Sequence, residues 1–373
     1  MRCKDCYIFS GEHLDLEFDR AVSYADPVLE PASPSTTWIA PGFIDLQVNG
    51  FGGVDYNSAT ASLESIALSL NAIFCTGVTR FFPTVITASP ESMLGALANL
   101  ARARETLPQG EAMEAFHVEG PHISPSDGPR GAHPARWVRP PDVEEYKRWQ
   151  GAANGNVRLI TLAPEWPEAP RYIEHVTREG VVASIGHTSA TLEQIQDAVR
   201  AGATLSTHLG NAGHVSLPRH RNYLWEQLAE DRLAASFIVD DFHLPDAFLR
   251  VALRSKGVER SILVTDAVGP SIGEVELDHL PGDRVVLKGG TRLAGSGLRM
   301  DRAIANTVRR TGLTLREAVT MATINPARVG RVRGRLRGLQ PGERADLVRF
   351  RWEEERLCVV ETYLSGERVF GGA

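Results

Sequence analysis

The chain has 373 residues, a formal net charge of −6, 43% hydrophobic residues and 23% charged ones. That length suits one large barrel with an appendage or two ordinary domains, and the composition is that of a globular protein rather than a disordered or membrane one. The acidic balance offers no basic field to a phosphate backbone, so no nucleic-acid partner is expected.

The N-terminus, MRCKDCYIFSGEHLDLEFD, turns polar before any run long enough for a signal peptide, and no later apolar stretch has the length to span a bilayer. The expectation is a cytoplasmic protein with no membrane partner. Four cysteines in so long a chain do not make a disulfide framework. Cys3 and Cys6 have the spacing of half a zinc site, but no second pair follows, and they read as incidental thiols beside a strand. Residues 1–38 are turn-rich with short alternating runs, as half-buried strands are.

From Ile39 onward, eight short β-branched or apolar runs stand before stretches of helical periodicity. They are WIAPGFIDLQV, VTRFFPTVI, EAFHVEG, VRLITLAPE, VVASIGHT, ATLSTHLG, AASFIVDDFH and SILVTDAV. Intervening segments such as LESIALSLNAIFCTG, SMLGALANLARARE, TLEQIQDAVRAG and DAFLRVALRSKG read as helices, several ending on glycine. The alternation predicts a (β/α)8 barrel of the TIM type over a doubly wound sheet, spanning 39–332. GEVELDHLPGDRVVLKGGTRLAG reads as a hairpin insertion, and DRAIANTVRRTG and TLREAVTMATINPARVG as closing helices. The tail, 333–373, again alternates and is expected to join residues 1–38 in one small β domain.

In such a barrel the reactive groups stand at the C-terminal ends of strands. The run ends here carry His117, Glu119 and His122, then His187, His208 and His214, then Asp240, His243 and Asp266. One histidine after an apolar run is more often a core or surface residue than a ligand, but Glu, His, His and Asp at successive strand ends form a pattern. Glu119, His187 and His208 offer one carboxylate and two imidazoles, a set suited to a catalytic zinc whose fourth position is left to water. Asp266 is then placed for proton transfer in hydrolysis, with helix capping as the plainer alternative. Gln47 and Asn49 end the first run where His-x-His would bind a metal, and neutral amides are poor zinc ligands, so a single divalent ion is expected across the third, fifth and sixth strands.

PGFIDLQVNGFGG, HVEGPHISP, GAH, IGHTSAT, THLGNA, VTDA, LAGS and MATINPAR together resemble the N-acetylglucosamine-6-phosphate deacetylase family of the amidohydrolase superfamily. The resemblance implies a (β/α)8 barrel with a small β-sandwich built from both termini, a homodimer, and hydrolysis of a phosphosugar acetamide to acetate and glucosamine 6-phosphate. It puts the metal on Glu119, His187 and His208, and the catalytic carboxylate on Asp266. It puts substrate contacts on Ala132, Asn211, Ala212, His243 and Gly295, with His243 orienting or polarising the acetyl carbonyl. A phosphate-binding arginine is implied at Arg219, reaching across a dimer, with His133 at the same end. Three stretches depart from the family pattern: HLGNAGH has glycines where a bulky residue and a methionine are usual, DDFH replaces a glycine by Asp241, and the loop around Arg219 differs. A deacetylase of another or an unphosphorylated N-acetyl amino sugar is therefore an alternative reading. A cyclic-amide hydrolase is less favoured without first-strand His-x-His or a fourth-strand lysine, and a non-catalytic scaffold has no need of the four polar residues.

Overall fold

The computed structural model describes residues 1–28, 37–335 and 337–372; part of the N-terminal segment expected to form strands, residues 29–36, lies outside the described residues. Eight parallel strands run in chain order around one sheet: Phe43–Val48, Val78–Ile86, Phe116–Glu119, Val157–Leu162, Val182–Ile185, Leu205–Ser206, Ala234–Phe237 and Ser261–Leu263. Helices cover the outside, so these strands have no solvent face. Val78–Ile86 is buried at every position, which is why such strands read as continuous apolar runs. The helices begin where the sequence supplies caps. Ser62 and Ser89 accept from backbone N–H groups, Thr191 and Gln194 form a reciprocal capping box, and Gly202 ends that helix at φ 116°.

The eighth and first strands meet through a short seam at the C-terminal mouth rather than a full ladder. Asp266 N donates to Gln47 O at 3.0 Å, Asn49 N donates to Ala267 O at 2.7 Å, and Val48 bridges Ala267. Below this, the buried Asp45 carboxylate accepts from Thr265 Oγ1 at 2.6 Å and from Gln47 N at 3.2 Å, and burial foremost lifts its pKa to about 7. Barrel closure therefore fixes Asp266 against the first strand.

The two chain ends share a seven-stranded sheet. Arg2–Tyr7, His13–Phe18, Val22–Val28 and Trp38–Pro41 come from the N-terminal side, and Leu347–Glu353, Arg356–Leu364 and Glu367–Phe370 from the C-terminal side. Trp38–Pro41 joins the halves, parallel to Arg2–Tyr7 and antiparallel to Leu347–Glu353. The run WIAPGFIDLQV, expected as one barrel strand, is thus two strands, with Ile39 in the terminal sheet. The break is at Gly42, where a Cβ would lie 2.2 Å from Thr79 Cγ2, so only glycine passes. The expected helix TLREAVTMATINPARVG also divides, into Leu315–Met321 and Ile324–Val329, because Pro326 has no N–H for the Ala322 carbonyl. The hairpin after the eighth strand forms, pairing Val275–Leu280 with Arg284–Leu287. Among the described residues no helix is long and apolar enough to cross a membrane.

Candidate metal centre and active site

Three buried side chains from the third, fifth and sixth barrel strands converge. His208 Nε2 stands 2.9 Å from Glu119 Oε1, His187 Nε2 stands 3.2 Å from the same oxygen, and the two Nε2 atoms are 3.1 Å apart. His187 Nδ1 donates to Pro129 O at 3.0 Å, which leaves the lone pair on Nε2. Acceptors this close repel unless a cation or a shared proton lies among them. Two nitrogens at ~2.0–2.1 Å from a tetrahedral zinc would be roughly 3.3 Å apart, so the donor set fits a divalent ion without rearrangement. His208 Nδ1 is buried with no hydrogen-bond partner among the described residues. Burial pushes the Glu119 carboxyl up, but the adjoining His187 and His208 side chains overcome it and hold it well below the usual range.

His133 adds a fourth donor. Its Nδ1 contacts Thr87 Oγ1 at 2.8 Å and its Nε2 faces Glu119 Oε2 at 4.0 Å, so that Glu119, His133 and His187 also form a candidate metal group. The Glu119–His187–His208 set is the tighter of the two. His133, expected at the phosphate end, stands beside this cluster instead.

The amides of the first strand face the carboxylates. Gln47 Nε2 donates to Glu119 Oε1 at 2.9 Å and to Asp266 Oδ1 at 3.1 Å, while Asn49 Nδ2 donates to Asp266 Oδ1 at 2.6 Å. They hold Asp266 beside the cluster with their N–H groups. Burial first, and then the Glu119 charge, lift the Asp266 carboxyl to about 6.

Backbone strain marks the same places. His187, His208, Ala212 and Asp266 adopt φ of 50°, 29°, 50° and 51°, a left-handed conformation costly for residues with a Cβ. Such strain persists only where surrounding structure imposes it, and strands that end abruptly at a shared centre do so.

A cavity of about 370 Å³ opens above the cluster, lined by Ala132, His133, Asn211, Ala212, His243, Asp266 and Gly295 among others. His243 is aimed by Asp240, whose Oδ2 lies 2.7 Å from Nδ1. Burial raises the Asp240 carboxyl, but the bond from His243 prevails and its pKa is lowered. His117 and His122 lie elsewhere: His117 binds Thr161 Oγ1 inside the barrel at 2.7 Å, and His122 packs on Trp149 and Tyr172. His214 binds the Tyr223 hydroxyl. Arg219 is exposed and lies outside the cavity of its own chain. Arg292, which strand-end reasoning passes over because it follows a surface hairpin, lines the cavity instead.

The departures in sequence have local causes. A Cβ at Gly210 would meet Phe248 Cε1 at 2.5 Å, and one at Gly213 would meet the Tyr223 hydroxyl at 3.2 Å, so neighbouring aromatics fill the space of the missing side chains. Asp241 is held by Arg302 and Arg309, each at 3.3 Å, from helix Met300–Thr311. Cys3 and Cys6, both free thiols, lie in the terminal sheet.

The chain matches the Amidohydrolase family over residues 38–369. It is 34% identical over 354 residues to the N-acetylglucosamine-6-phosphate deacetylase of Homo sapiens, covering 89% of this chain and 83% of that one. It is also 34% identical over 339 residues to the N-acetylgalactosamine-6-phosphate deacetylase of Shewanella sp. (strain ANA-3), with the same two coverages. Among solved structures, the N-acetyl-D-glucosamine-6-phosphate deacetylase of Mycobacterium smegmatis superposes with a TM-score of 0.86 at 30% identity, covering 99% of this chain and 100% of that one.

Proposed function

The chain belongs to the N-acetylglucosamine-6-phosphate deacetylase family of the amidohydrolases, and on that premise we propose that it hydrolyses the acetamide of N-acetylglucosamine 6-phosphate to glucosamine 6-phosphate and acetate. The observation that carries this reading is the convergence of Glu119, His187 and His208 beside a buried carboxylate, Asp266, at the floor of a cavity.

We assign one divalent ion, zinc, to Glu119, His187 and His208. When bound, such an ion supplies Lewis acidity to water and to the acetyl carbonyl. Asp266, held by Gln47 and Asn49, takes the proton of the attacking water. As the C–N bond breaks, it returns that proton to the sugar nitrogen, and acetate leaves. His243 points the acetyl oxygen, its ring held in orientation by Asp240 at Nδ1. Metal analysis of purified protein is expected to approach one equivalent per chain, and Glu119→Gln to lose it with the fold intact by circular dichroism. Two tightly held ions in fully active protein would overturn the single-ion assignment.

Two relatives act on sugars named as differing at the hexose, and Gly213 lines the cavity, so N-acetylgalactosamine 6-phosphate is the second reading. Acetate release from both phosphorylated sugars and their unphosphorylated forms decides between them. A higher kcat/KM for an unphosphorylated sugar would sink both.

For the phosphate we assign Arg219 of a homodimer, acting on the cavity of the other subunit. The loop that carries it also exposes Val215, fully accessible, and Trp225, 47% accessible, just after it, as a surface that meets another chain does. Arg219→Ala is expected to lower the preference for phosphorylated over unphosphorylated sugar roughly ten- to hundredfold, the effect of one charge-assisted contact. A variant that keeps its preference would remove Arg219 from the site. The reading also makes this a cytoplasmic enzyme of amino-sugar metabolism.

A further inference from the structure

Among the described residues that line the cavity, Arg292 is the one arginine or lysine. It follows the hairpin Val275–Leu280/Arg284–Leu287 and precedes Gly295 by three residues, roughly 10 Å of extended chain at most. Its backbone is anchored, since Leu287 N donates to Arg292 O at 2.9 Å and Val286 bridges Leu293.

The side chain is aimed as well. Arg292 Nη1 and Nη2 grip Asp127 Oδ1 and Oδ2 end-on at 2.8 and 3.0 Å, and Nη1 also donates to Gly131 O at 3.2 Å. A guanidinium has five N–H donors. These three bonds leave the edge formed by Nε and the second hydrogen of Nη2, which no described residue occupies. That edge is a planar fork matched to two oxygens of a phosphate. Asp127 does not cancel the local charge, because Arg130 Nη2 also reaches it at 3.2 Å, leaving two cations to one anion. Exposed at 42%, the Arg292 side chain remains open to a ligand.

We propose that Arg292 is a specificity-determining residue that reads the anionic group of the substrate from within the chain, through its Nε/Nη2 edge, with Asp127 holding the fork in orientation. The proposal rests on the reading of the substrate as a 6-phosphorylated sugar and adds to it a residue of the same subunit.

The test compares kcat/KM for N-acetylglucosamine 6-phosphate with that for N-acetylglucosamine in three metal-loaded proteins. Wild type is expected to prefer the phosphorylated sugar, and Arg292→Ala to lose roughly ten- to hundredfold of that preference, mainly through KM. Asp127→Asn keeps the cation but loosens the grip on its fork, and is expected to lose part of the preference, well short of the loss in Arg292→Ala. If Arg292→Ala keeps the wild-type preference, or if Asp127→Asn loses as much as Arg292→Ala, the arginine acts through its loop and the proposal fails. A wild type with no preference overturns the phosphosugar reading itself, an outcome visible before either variant is measured.

Discussion

Asp266→Asn is expected to lower kcat by roughly 10² to 10⁴, the usual loss when a general base is removed. That corresponds to about 2.7–5.4 kcal/mol of barrier at 1.36 kcal/mol per decade. The substitution is nearly isosteric, and an amide oxygen still accepts from Gln47 and Asn49, which stand 3.1 and 2.6 Å from Asp266 Oδ1. The seam bond from Asp266 N to Gln47 O belongs to the backbone and survives. What disappears, on the proposed role of Asp266, is the capacity to take a proton from water and return it to nitrogen. Metal content and melting temperature should therefore stay close to wild type while turnover collapses. Near-wild-type turnover in this variant would mean that another group moves the proton.

Asp346→Ala is expected to destabilise the fold by roughly 3–5 kcal/mol, because it strands buried charge. Arg80, on the second barrel strand and 1% exposed, places Nε 2.9 Å from Asp346 Oδ2, and Asp346 is fully buried beside the terminal sheet. Without that carboxylate, the counter-charges left to Arg80 among the described residues are Glu111 at 3.4 Å and Glu114 at 3.8 Å. Arg335, also buried, loses the same counter-charge. Burial pushes Asp346 up, but Arg80 first and then Arg335 outweigh it and hold its pKa below 3.8. A carboxylate held down in the fold contributes its stability in full above its unfolded pKa and loses it as pH falls through the folded one. The gap in denaturation midpoint between wild type and variant should accordingly be widest near neutral pH and narrow below about pH 4. A gap that is absent at pH 7 would show that the remaining carboxylates compensate.

The barrel was legible because parallel strands covered on both faces must be apolar along their length, so a polar residue at a run's end is conspicuous. Glu119, His187, His208, His243 and Asp266 all stand out for that reason. Three features were not legible in this way. The division at Gly42 depends on Thr79 lying where a Cβ would be, a contact across strands. The loop holding His133 folds back so that Pro129 O meets His187 and Thr87 meets His133. Arg292 looks like any basic residue of a surface turn until the hairpin carries it to the cavity and Asp127 turns its fork.

By itself, then, the sequence determined the order of strands and helices, the residue types available at each strand end, and hence the chemistry open to them, since burial and backbone capping act over a few neighbouring residues. The role of the first-strand amides was decided only by tertiary structure. Gln47 and Asp266 are separated by 219 positions, and only the register at which the eighth strand closes on the first turns an amide that cannot replace a metal ligand into the donor that holds two carboxylates in place.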